Sequence, residues 1–396
     1  MDLMTAIEGA ERKGYRYAGL DLLRAVAIAW VVLYHSSNFD LVDYNNPVVS
    51  VGWIGVDIFF VLSGFLIGGQ FFKEIVRGSR VNIFSFYARR ALRTLPAYGF
   101  ILALYFTLSS WREFDGIAPL WQFVTFSENI FFKLDHSMSF SHVWSLCVEE
   151  QFYLILPFVI FLLSAHPNIK RVVAFVLCVL MAGIAFRYMS WVTYVAPHDI
   201  GGVPTDGFNV GYVKHVYYPT WNRLDGLLFG VAAAALRSFL PRHWLVITRY
   251  PNVILLLGIA GALATAFLFF RQLQAQLLPA VLGYPTLAAA ITLIVISATC
   301  EKSMIARYPV PGVKGLAAIS YSLYLSHKIV FHAVSLYVAP LLVGHPFCVL
   351  SAAIVLALIA GTALYWGVER PFLLLRNHLD RRSGDGSLSS SPVFLG

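Results

Sequence analysis

Residues 19–38, GLDLLRAVAIAWVVLYHSSN, read as a membrane-spanning helix that nonetheless carries Asp21, Arg24 and His35. At 100° per residue the step from Arg24 to His35 closes to within about 20°, so both lie on one face. Asp21 falls about 60° from Arg24 on the same side, and Leu, Val, Ala, Ile and Trp cover the others. An ionisable group in a spanning helix costs roughly 2.5–3.5 kcal/mol on insertion scales and normally faces a bundle interior or a wet cavity. The stripe therefore marks a polar site inside a helical bundle, or else an interfacial Asp21–Arg24 pair beside a packed histidine.

The rest of the chain has the composition of such a bundle. Of 396 residues, 58% are hydrophobic and only 13% charged, with a mean hydropathy of +0.70. Soluble domains carry about 25% charged residues, so the deficit implies an integral membrane protein. Aromatic residues reach 15%, with 9 Trp, as rings lining two membrane interfaces require. The net charge of +8 is dispersed between apolar runs, which fits positive loops beside a membrane and not a nucleic-acid surface. Cys147, Cys178, Cys300 and Cys348 stand alone in apolar segments without metal spacing, and are expected to be core thiols. The first apolar run lacks a small-x-small cleavage site, so it is expected to stay as a span.

With about 20 apolar residues needed per crossing, spans fall near 19–38, 51–71, 95–110, 142–164, 172–190, 223–240, 252–270, 276–299, 317–340 and 347–367. The expected fold is all-α, a polytopic bundle of about ten transmembrane helices with both termini cytoplasmic. Most of the 29 Lys and Arg support that orientation, since they fall in alternate connections, among them Lys73, Arg77, Arg89, Arg90, Arg93, Arg237, Arg242, Arg370 and Arg376. Residues 1–382 read as one membrane domain and 383–396, SGDGSLSSSPVFLG, as a flexible tail. Pro119–Phe132 is too short to span and reads as interfacial or re-entrant. The long outer connection Trp191–Asn222 is rich in Gly, Tyr and Trp and suits either a sugar-contacting lid or an interface anchor.

Projected onto this topology, several unusual residues share the outer leaflet: His35, Asp57 in GWIGVDIFFVLSGFLIG, Glu149 and Glu150 in HVWSLCVEEQFYLILP, and the Arg223–Asp225 pair in TWNRLDGLLFG. A histidine with a carboxylate partner can take a proton from a hydroxyl. The same groups could equally form a proton relay or structural ion pairs, such as Glu149 or Glu150 with Arg24 or Arg223. On the cytoplasmic side, Arg89, Arg90 and Arg93 with Lys73, Arg77 and Arg80 could hold phosphates, or anionic lipid headgroups alone. Arg24 and His35 are about 16 Å apart along the helix. A thin donor with a phosphorylated head could thread its reactive end to His35, and coenzyme A thioesters have that shape.

Together, LDLLRAVAIAWVVLYH, GVDIFFVLSGFLI, FYARRALRTLPAY, WSLCVEEQFYLILP, TWNRLDGLLFG, ISYSLYLSHKIV and VERPF occur in one order along nearly the whole chain. In this the sequence resembles the integral-membrane acyltransferase-3 family, bacterial O-acyltransferases of cell-surface glycans and related molecules. The resemblance implies an inner-membrane enzyme that moves an acyl group, often acetyl, from cytoplasmic acyl-CoA to a hydroxyl of a cell-surface or exported glycan. It puts His35, Glu149 and Glu150 in the catalytic role and Arg24, Arg90 and Arg93 at the donor. By position alone, His327, mid-span in YSLYLSHKIV beside Lys328, could line the donor path or be packed and hydrogen-bonded to a neighbouring helix, and Asp57, Arg223 and Asp225 read as acceptor-side. Acyl-CoA would be a co-substrate with no permanently bound cofactor or metal, and the partners would be the glycan acceptor and membrane lipids, with no nucleic acid. Cys147 stands where the family usually has a small polar residue, and no soluble periplasmic domain is expected after the bundle. Two alternatives remain at this level: a transporter or flippase of a glycan or lipid-linked intermediate, which internal repeats would favour and this chain lacks, and a small-molecule acyltransferase of the same fold.

Overall fold

Backbone N–H and C=O groups inside a bilayer must be satisfied within their own segment, so apolar runs of this length cross as helices. The computed structural model describes residues 18–78, 82–133, 138–164, 169–200, 203–204, 206–270, 276–308 and 310–382. The expected tail 383–396 lies outside these residues, as does Arg80. The long helices are α1 (Ala18–Ser36), α2 (Ile54–Val76), α3 (Ile83–Thr107), α4 (Trp144–Ser164), α5 (Ile169–Tyr194) and α6 (Asp225–Phe239). They continue with α7 (Pro251–Thr265), α8 (Leu277–Ala298), α9 (Val313–Tyr337), α10 (Pro346–Leu364) and α11 (Arg370–Arg382). Among the described residues, strand pairing is confined to β1 (Asp199–Ile200) against antiparallel β2 (Val203–Pro204) and a bridge between Ile117 and Ser139. The protein is a helical, multi-pass membrane protein.

Each of the ten expected spans has a helix, α1 to α10, but they are not equally membrane-like. By length and composition 7 of the described helices can cross a bilayer: α1, α2, α4, α5, α7, α8, and α10 with its continuation. The exceptions are informative. Helix α6 has 15 residues, about 22 Å at 1.5 Å per residue, against a hydrocarbon core of about 30 Å. Helix α3 carries Arg89, Arg90 and Arg93, and α9 carries Ser320, Ser322, Ser326, His327 and Lys328, all five of them buried. In α3 and α9 the charged and polar side chains themselves lower the hydropathy.

The chain divides into two units, each built from segments distant in sequence. In one, α9 packs against α1, α10 and α3, and α3 also packs against α11 and the π-helical turn Tyr365–Glu369 that joins α10 to α11. Gly361 lets α10 approach α9 at one level: a Cβ there would stand 2.9 Å from the Leu323 Cα.

In the other unit, α6 packs along α2, α8 packs against α7, α6, α5 and α2, and α4 lies beside α2. Apolar contact alone drives no association in lipid, so helices pair where small residues let backbones meet. Gly64 on α2 meets Gly230 on α6, and, four residues away on each helix, Gly68 lies against Val231 and Gly226 against Phe60. A Cβ on Gly64 would collide with the Leu227 carbonyl, and one on Gly230 with the Val61 carbonyl. Only hydrogen fits at either position.

Pro119–Phe132 forms two short helices, Leu120–Val124 and Glu128–Phe131. After α5, the described residues include the helix Asp206–Tyr212 and the turn Val213–Tyr217, from which Phe208, Tyr212 and Val216 form a buried cluster with Trp191, Val195 and Ala280. The expectation of core thiols holds only in part. Cys147 is buried, but Cys178 and Cys348 are exposed. A helix apolar all round has no inner side to be read from hydropathy, and a thiol tolerates a lipid-facing surface as readily as a core.

Candidate active site

Histidine 35 reaches its site at the end of α1, where the expected polar stripe is buried at Asp21 and Arg24. The Arg24–Asp21 contact is loose, with Nη1 4.0 Å from Oδ1. His35 has a second imidazole as its neighbour: its Nδ1 lies 2.7 Å from His327 Nε2, the rings stacked 4.9 Å apart at 20°. His327 Nδ1 in turn lies 3.1 Å from the carbonyl oxygen of Leu323, one turn back on α9.

This chain of contacts assigns the tautomers. A carbonyl oxygen only accepts, so His327 Nδ1 carries the proton and donates it to Leu323. In a neutral ring Nε2 is then an acceptor, and His35 Nδ1–H donates to it. The basic lone pair of His35 is thereby placed on Nε2. The arrangement repeats the logic of a catalytic triad, in which a second group fixes the tautomer of the base, with an imidazole standing where a carboxylate is more usual. Tyr34 packs beside His35 at 5.5 Å between ring centroids, and Tyr324 and Phe331 beside His327 at 5.9 and 5.8 Å. The backbone acceptor sits where Gly361 brings α10 against Leu323.

The same unit holds the arginine motif. Asn82 caps α3 by accepting from the Ser85 N–H at 2.9 Å, and Arg89 is tied back to Ser85 Oγ at 2.6 Å. Arg90 and Arg93 are half-buried. Just after Arg93, the Thr94 carbonyl accepts from Tyr321 OH of α9 at 2.9 Å.

The remaining sequence-predicted residues lie in the other unit, where they fall into two groups. Glu149 Oε2 accepts from Tyr153 OH at 2.7 Å and from Ser63 Oγ at 3.2 Å, so its direction is set by its own helix and by α2. Glu150, 100° further round α4, points to a different side. Asp57 accepts from Arg223 Nη2 at 2.9 and 3.1 Å, and Asp225 is gripped by Arg187 at 2.6 and 3.2 Å. Arg223 and Asp225 therefore do not pair with each other. Arg223 stands just before α6, which begins at Asp225, and each of the two takes a partner from another helix. Arg223 also lies over Tyr284 at 3.9 Å and Tyr217 at 4.7 Å.

Sequence reasoning missed Arg187, which is fully buried and also donates to the Asn222 and Val281 carbonyls. Its signal was present: an arginine inside the apolar run of α5. Sequence reasoning likewise missed Tyr153 and Ser63 as the groups that hold Glu149.

Comparison with known proteins agrees with these motifs. The family described as "Acyltransferase domain" matches residues 17–366. The O-acetyltransferase OatA of Staphylococcus aureus strain NCTC 8325 / PS 47 is 29% identical over 332 residues, 78% of this chain and 49% of that protein. OatA of strain COL gives the same figures, 29% over 332 residues with 78% and 49% coverage. The chain thus spans about half the length of the curated relatives it matches. No solved structure matches it. The motifs of α1, α3, α4 and α9, in their order and on the helices described, place the chain in the integral-membrane acyltransferase-3 family.

Proposed function

We propose that the protein is an inner-membrane O-acetyltransferase that takes its acyl group from cytoplasmic acetyl-CoA and delivers it to a hydroxyl of a cell-surface or exported glycan. The observation that carries the reading is the His35–His327–Leu323 chain, which puts a lone pair on a defined nitrogen of a half-buried imidazole. Family membership and relatives named as O-acetyltransferases support the reaction class.

In the proposed step, His35 Nε2 takes the proton of the acceptor hydroxyl as its oxygen bonds to the thioester carbonyl carbon. The C–S bond then breaks, and the proton on His35 passes to the departing coenzyme A sulfur. While His35 is cationic, its Nδ1–H points at the His327 Nε2 lone pair, which stabilises the charge without moving a second proton. Arg24, Arg90 and Arg93 serve the phosphates of the donor, and forked guanidinium groups suit that task. Glu149, held by Tyr153 and Ser63, is the better placed of the acidic pair for a fixed catalytic role, with Glu150 as its neighbour. Asp57, Arg223 and Asp225, engaged in ion pairs, bear on the acceptor by keeping its side of the bundle in shape.

Detergent-purified protein with radiolabelled acetyl-CoA tests this directly. Thioester loss should occur in wild type and fall by about 10²–10⁴-fold in His35→Ala, the range for removing a general base. Retention of most activity in His35→Ala would sink the assignment. A wild type that leaves acetyl-CoA untouched would remove the donor from the proposal.

A further inference from the structure

Glutamate 369, in the motif VERPF, is a carboxylate the reaction above does not use. It is 1% exposed and stands at the end of the π-helical turn Tyr365–Glu369, where one extra residue is inserted between α10 and α11. Such insertions rotate the side chains that follow them and are frequent at functional sites. Here Glu369 Oε2 accepts from Ser322 Oγ of α9 at 2.6 Å, and Ser322 is fully buried. The preceding residue on α9, Tyr321, donates to the Thr94 carbonyl at 2.9 Å. Two consecutive residues of α9 thus hold, on one side, the carboxylate of the π turn and, on the other, the backbone directly after Arg93. Helix α3 packs against this turn, and the charge of Arg93 acts on the Glu369 carboxylate. Neighbouring Arg370 is directed elsewhere, over the Trp366 ring at 3.9 Å.

A buried carboxylate is retained only where a cation or several donors compensate it. From the junction of α3, α9 and the π turn we infer that Glu369 is the positioning residue for Arg93: it orients the guanidinium and lowers the ordering cost when an anionic donor is bound. The inference rests on the acyl-CoA reading above and adds a residue to it. Ser322 supports Glu369, and Tyr321 fixes the backbone from which Arg93 projects. A guanidinium between a fixed carboxylate and an arriving phosphate loses less rotamer freedom on binding than one that must be ordered by the phosphate alone.

The test is a double-mutant cycle on the full chain in detergent, using Arg93→Lys, Glu369→Gln and the pair, with acetyl-CoA as the probe. Glu369→Gln keeps an acceptor for Ser322 Oγ and removes only the charge, so folding survives it. KM for acetyl-CoA should rise about tenfold in each single variant, with kcat changed far less, and the double variant should be scarcely worse than either single, since residues that share one network couple. Isothermal titration with coenzyme A should show the same pattern in Kd without turnover. Additive effects, or a Glu369→Gln protein that loses thermal stability at unchanged KM and Kd, would overturn the inference and leave the acyl-CoA reading standing. A wild type that neither binds coenzyme A nor consumes acetyl-CoA would overturn both.

Discussion

Histidine 35 acquires its chemistry from one hydrogen bond. Removing the acceptor, in His327→Ala, leaves His35 free to take the other tautomer and withdraws the stabilisation of its cation, and kcat should fall about 10²-fold or more with KM for the donor little changed. A steady-state comparison of kcat and KM for the two substrates checks this. A rise in KM alone would return His327 to the donor path expected from the sequence. At Arg187 the expectation concerns stability. Arg187→Ala strands Asp225, which is 4% exposed, and breaking a buried pair from one side costs about 3–5 kcal/mol. The variant should lose most of its folded yield by size-exclusion chromatography in detergent. His215 offers a pH readout outside the spans. It stacks on Tyr194 with ring centroids 3.8 Å apart, and its pKa is lowered by burial first and by the Lys214 charge second. The folded state therefore binds its proton more weakly than the unfolded state. The stability it contributes is present above the unfolded pKa of about 6.5 and is lost as pH falls through the folded value. The decline of melting temperature below about pH 6.5 should be shallower in His215→Gln; identical slopes would show that other groups control it.

At the level of elements, the crossing of α2 and α6 is set by glycine. Gly64→Ala and Gly230→Ala each drive a methyl group into a backbone carbonyl of the partner helix, and backbone cannot yield as a side chain does. Overpacking of this kind costs about 1–3 kcal/mol or more, so both variants should melt lower than wild type. Gly69→Ala is the control, since a Cβ there meets nothing within 4 Å. Equal melting temperatures for all three would mean that the helices part without penalty. The crossing matters for chemistry as well, because α2 carries both Asp57 and Ser63. The motif GVDIFFVLSGFLI thus joins a helix-packing device to two groups that hold Arg223 and Glu149.

For the whole molecule, membrane residence shows in exposed side chains that are apolar. Leu154, Ile155, Phe158, Phe161 and Leu162 of α4 and Leu256, Leu257 and Leu263 of α7 all face outward, as lipid requires and water would not allow. The charge pattern adds an orientation: a fluorescent reporter fused after Arg382 should fold in the cytoplasm, and an alkaline phosphatase fused there should be inactive. The reverse result would invert the topology and with it the side from which the donor enters.

Class and membrane residence were legible in the sequence because they depend on composition and on run lengths near the bilayer thickness. The polar face of α1 was legible because helical periodicity is local. Family motifs singled out His35, Arg24, Arg90, Arg93, Glu149 and Glu150 for the same reason: each is a short string on one element. Pairings were not legible. That His35 meets His327, that Asp57 takes Arg223 while Asp225 takes Arg187, and that Ser322 holds Glu369 are contacts between helices distant in sequence, which no period within one helix encodes. Nor does hydropathy alone separate α3, α6 and α9 from the other spans: α6 is short, and α3 and α9 carry the charged and polar residues that lower the signal by which spans are found. Tertiary structure decided these matters, because in a lipid interior a polar group is stable only once a partner helix supplies its acceptor or counter-charge.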